Sequence, residues 1–120
     1  MNTTKPPECW ASDANARALR VETAPGRALL LPFDQFVFAE CHTEEKEQWL
    51  LLVFATHEVS VRGHSLRRIE TTMQRMELSF LAKLPSSQRS LITEGQPLIL
   101  EIVVTEVKPQ RRIQESEYVD

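Results

Sequence analysis

Apolar residues recur mostly at every second position along this chain, the spacing of strands whose successive side chains point to opposite faces. Residues 18–23 form a short candidate strand, ended by Ala24-Pro25-Gly26. Residues 28–31 form a second, closed by Pro32. In residues 35–42, Phe36 and Phe38 share one face while Val37, Ala39 and Cys41 share the other. The charged stretch 43–47 is too polar to bury and reads as a hairpin loop.

The alternation then stops. Residues 49–55 are apolar at every position. A strand written this way is one covered on both faces, which predicts a central place in the sheet. Residues 56–62 alternate again, His57, Val59 and Val61 against Glu58, Ser60 and Arg62. No Gly or Pro marks the join at Ala55-Thr56, so the expectation is one long bent strand or two strands meeting at a bulge.

Gly63 is expected to break the strand, and Ser65 suits a helix N-cap. From there the period changes to 3.6. Leu66, Ile69, Met73 and Met76 make one apolar stripe of a helix about three turns long, with Arg67, Arg68, Thr71, Gln74 and Arg75 on the opposite arc. Residues 78–84 read as a strand or an irregular continuation of the helix. Residues 98–107 are the last clear strand, with Leu98, Leu100, Ile102 and Val104 facing inward.

These elements predict an α+β fold. It has a curled, mixed or mostly antiparallel sheet of five to seven strands, partial barrel closure being a variant, and one amphipathic helix after the central strands. Residues 18–108 form the domain. Residues 1–17 lack a sustained period and read as a loose arm with Trp10 as its anchor, and 109–120 as a polar tail.

Composition narrows the function classes. Fourteen basic residues against seventeen acidic ones leave a net charge of −3, which gives no global attraction to nucleic acid or an anionic membrane. No apolar run approaches the roughly 20 residues of a membrane span. The first residues carry no apolar run of the signal-peptide type, so a cytoplasmic location is expected. Two cysteines, Cys9 and Cys41, do not make a disulfide framework.

The candidate chemistry is sparse. The three glycines lie far apart, and no phosphate loop, nucleophile elbow or metal-ligand spacing occurs. Neither a metal nor a cofactor is expected. His57 falls on the apolar face of its strand, which predicts a structural histidine and leaves a small enzyme built on His57 as an alternative.

The local charge is more informative. From Arg62 to Arg75 there are four arginines against Glu70 alone. Arg62, His64, Arg67, Arg68 and Arg75 are therefore the candidate binding residues. They could take phosphate groups or an acidic partner, although no aromatic platform lies among them. Residues 40–47 carry the opposite charge, four Glu and one Lys. The sequence thus favours a non-catalytic binding or assembly module working through a protein partner or a homo-oligomer. Nucleic-acid or phosphate-ligand binding through the helix is the alternative.

Overall fold

The computed structural model describes residues 8–107. The elements in chain order are β1 (Trp10–Ser12), β2 (Ala18–Ala24), β3 (Arg27–Pro32), β4 (Phe36–Glu44), β5 (Glu47–Phe54), β6 (His57–His64), α1 (Arg67–Gln74), β7 (Leu78–Leu81) and β8 (Leu98–Glu106). The strands make two four-stranded sheets, ordered β1-β7-β2-β3 and β4-β5-β6-β8. The second is antiparallel throughout, while β2 and β7 pair in parallel in the first.

The described residues are therefore mostly β with one α-helix, and the expected single sheet of five to seven strands is replaced by two sheets. Neither sheet closes into a barrel. Each sheet has one apolar row to bury, and each row supplies the other's cover. Leu19, Val21 and Leu31 come from the first sheet, and Leu50, Leu52, Phe54, Val59, Val61 and Ile99 from the second. With Ile69 and Met73 of α1 they form one buried cluster.

The body of the domain begins earlier than residue 18. Trp10–Ser12 pairs with β7, the Ala82 N–H donates to the Cys9 carbonyl at 2.8 Å, and Cys9 is buried. Three residues are too few to show a period, which is why this stretch reads as an arm. The first seven residues of that arm, and the tail at 109–120, lie outside the described residues.

The hairpin at 43–47 is present, but its strands run further in. Glu44 pairs with Glu47, leaving only Glu45-Lys46 as the loop. Glu45 sits at φ 54°, in the left-handed region that two-residue hairpin loops demand. The join at Ala55-Thr56 is neither a bend nor a bulge. It is a second tight turn, with β5 and β6 antiparallel. The Ala55 N–H donates to the Gln35 carbonyl and the Val107 N–H to the Thr56 carbonyl, both at 2.8 Å. Tertiary partners replace the turn chemistry that the sequence lacks.

Gly63 does not end its strand. It lies inside β6, opposite a bulge at which Leu100 has no partner between Ile99 and Glu101. A Cβ at Gly63 would come within 2.0 Å of the Leu98 carbonyl oxygen, so the close backbone approach at this bulge requires glycine. The bulge also shifts the phase of β8. Ile99, not Leu98 or Leu100, is fully buried.

The helix is held at both ends by devices other than the expected serine cap. Ser65 is at φ 55° and makes no cap. Instead the Gln48 side chain accepts a hydrogen bond from the Leu66 N–H at 2.6 Å, so the end of the β4–β5 hairpin caps α1. At the other end Met76 is left-handed (φ 58°), the Met76 N–H donates to Met73 and the Glu77 N–H to Thr72. That is a Schellman stop with Met in the usual glycine position. Residues 78–81 are a strand, not a continuation of the helix. No helix among the described residues is long and apolar enough to cross a membrane.

Candidate protein interface

The two faces of the β4-β5-β6-β8 sheet differ in cover. The inner face meets α1 and the first sheet. The outer face has no element over it among the described residues. Its side chains follow from the register in three rows. Phe38, Val53, Glu58 and Thr105 make the first; Glu40, Leu51, Ser60 and Val103 the second; His42, Trp49, Arg62 and Glu101 the third.

The centre of this face is apolar. Trp49, Leu51 and Val53 of β5 are half-buried and run along its middle. Phe38 on one side is 50 % exposed and Val103 on the other 48 %. Val37, at the bulge in β4, is 60 % exposed. The expectation that residues 49–55 are covered on both faces is therefore corrected. β5 is an inner strand, but only Leu50, Leu52 and Phe54 meet the core. The other three apolar side chains point to the outer face and are only half-buried. Apolar patches of this kind on a soluble surface mark contact sites.

The polar rim is organised. The Arg62 Nη1 donates to Glu47 and its Nε to Glu101, each at 3.1 Å. The Glu101 bond, with Glu47 beside it and against some desolvation, raises the Arg62 pKa above the ordinary arginine value. The His42 ring lies 5.8 Å from that of Trp49, and its Nε2 is 3.8 Å from Glu44.

The five residues predicted to bind together are divided by the fold. Arg62 belongs to the open sheet face and is neutralised there. His64 is turned to the hairpin tip, its Nδ1 2.7 Å from the Lys46 carbonyl, to which it donates. Arg67 and Arg68 are exposed on α1, which packs on the inner side, and Arg75 is exposed at its C-cap. Arg68 and Arg75 are seven residues apart and share a stripe, with Arg68 donating to Gln96 at 3.2 Å.

His57 is half-buried at the turn end of β6, 2.8 Å from the Thr56 hydroxyl. It lines a groove with Arg27, Leu29, Ile102 and Glu106, where among the described residues Thr56 alone of the hydroxyl and thiol side chains is in hydrogen-bond contact with it. Among the described residues no group of three His, Cys, Asp or Glu side chains is placed to hold a metal ion.

The sequence pattern missed the open face because a continuous apolar run has no phase. It says that both sides of a strand are apolar, not that both are covered. The signal that could have raised the question was Val103, an apolar residue at the outward parity of Glu101 and Thr105. No family model matches this chain, and no curated protein or solved structure matches it.

Proposed function

We propose that this chain is a non-catalytic binding module that docks a protein on the open face of its β4-β5-β6-β8 sheet. One observation carries the reading. The middle strand of that face is written like a core strand, and no element among the described residues lies over its outward side chains Trp49, Leu51 and Val53. A tryptophan such as Trp49 is the kind of side chain that anchors a protein contact, and apolar neighbours around it exclude water. The occupant is a second copy of the chain or another protein.

A second reading, phosphate or nucleic-acid binding through α1, has the exposed pair Arg68 and Arg75 in its favour. It has lost Arg62 to the sheet face.

Photo-crosslinking separates the two. A benzophenone side chain placed at Leu51 or Val103 should capture a discrete protein adduct, and one placed at Arg75 should not. Nucleic-acid adducts at Arg75 with nothing captured at Leu51 or Val103 would move the function to the helix.

A further inference from the structure

We infer that the partner on the open sheet face is a cationic, amphipathic segment of another protein. This rests on the docking reading above and adds the chemistry of the occupant. Among the described residues the charged side chains of the face are Glu40, Glu44, Glu47, Glu58 and Glu101, five carboxylates against the one guanidinium of Arg62. That guanidinium is already spent on Glu47 and Glu101. Lys46, at the hairpin tip, lies at one end of the face.

The remaining negative charge is placed where a partner would feel it. Glu40 stands beside Leu51 on β4, and Glu58 stands beside Val53 on β6. Neither is ion-paired among the described residues. They are offset by two residues along the strands and by two strand spacings across them, and the spacing across is about 10 Å with the β5 ridge of Leu51 and Val53 between. That is about the width of one α-helix. A segment lying along the ridge with an apolar underside would bring lysines or arginines on its flanks to both carboxylates.

The same charges argue against the other occupants. Two copies packed face to face would set an acidic rim against an acidic rim, and like charges brought together suppress association. An anionic membrane surface meets the same repulsion. The apolar ridge gives such a contact its affinity, and the flanking carboxylates select its sign.

The test uses the whole chain and two synthetic amphipathic helical peptides with the same leucine face, one with lysines on its polar side and one with glutamates, titrated by calorimetry. The lysine peptide should bind at least about tenfold tighter than the glutamate peptide, and the difference should shrink as salt rises and the Debye length falls. The double variant Glu40→Gln/Glu58→Gln should lose about tenfold in affinity for the lysine peptide, and Leu51→Ser should lose more. Glu94→Gln, in the exposed turn at 93–96, should change nothing. All variants should still unfold in one cooperative transition. Equal affinity for the two peptides, binding by neither, or an equal loss from Glu94→Gln would overturn the assignment. Sedimentation showing a dimer that Leu51→Ser dissociates would put a second copy on the face. That result overturns the cationic partner and leaves the docking reading standing.

Discussion

At Cys41 the thiol turns toward α1, where partial burial and then the Glu70 carboxylate, by hydrogen bond and charge, push its pKa up to about 11. The residue lies on an exposed edge strand, so access alone suggests a reactive cysteine. The thiolate is the reacting species, and at pH 8 its fraction is about a hundredfold below that of an unperturbed cysteine. We expect slow alkylation of Cys41, rising with pH up to about 11. Glu70→Gln should speed it several-fold at pH 8 by lowering that pKa. Mass spectrometry of iodoacetamide-labelled peptides reads this site apart from the buried Cys9, and equal rates in the two proteins would show that Glu70 does not control the thiol. Such pairings were not legible in the sequence. Cys41 and Glu70 are brought together only when α1 packs on β4, and no local spacing records that. Gly63 is similar. Its presence was evident, but its reason lies in a backbone thirty-five positions away, at Leu98.

At the scale of elements, the strands that alternate were legible, because burial on one face leaves a period of two in β6 and in the first half of β2. What the pattern left open was the turn at Ala55-Thr56, the phase of β8 past its bulge, and the division into two sheets. Each depends on partners remote in sequence. The basic residues show the same limit: Arg62 and the helix arginines are neighbours in the chain, yet strand parity and helix packing send them to different sides. The two faces of β5 now make opposite predictions. Leu52 is fully buried, so Leu52→Ala should cost about 2–5 kcal/mol through lost transfer energy and the cavity left behind. Leu51, one residue on the other side, should cost under about 1 kcal/mol when replaced by Ala, since water can fill the space. Urea denaturation of both variants checks this. Similar large losses at the two positions would mean that the outer face is packed, and would remove the basis of the docking site.

The whole molecule is held together across the sequence in an uneven way. The β4-β5-β6 part of one sheet is built from consecutive hairpins, closed by β8. The other sheet is assembled from three distant pieces, β1, β2-β3 and β7, with β7 laid between β1 and β2 after the chain has passed through α1. Its inner strand β7 therefore depends on a three-residue strand near the start of the chain. The Asp13 N–H donates to the Glu77 carbonyl at 2.8 Å, and Cys9 packs at 1 % exposure into the same cluster as Leu78, Leu81 and Ile99. Because that cluster is shared by both sheets, loss at β1 is felt by the whole domain rather than by an end that frays. A chain beginning at Ala18, the boundary suggested by periodicity, loses this strand and leaves β7 as an unpaired edge. We expect it to unfold at a clearly lower urea concentration than the full chain, or to aggregate. Trp10→Ala in the full chain isolates the contribution of β1 from that of the residues before it. Trp10 is half-buried against the core, so its loss should cost about 1–3 kcal/mol, below the range for a fully buried aromatic. Fluorescence of Trp49, in the other sheet, should report the same lowered midpoint as circular dichroism. Midpoints unchanged in both proteins would show that β1 is an ornament on a core complete without it.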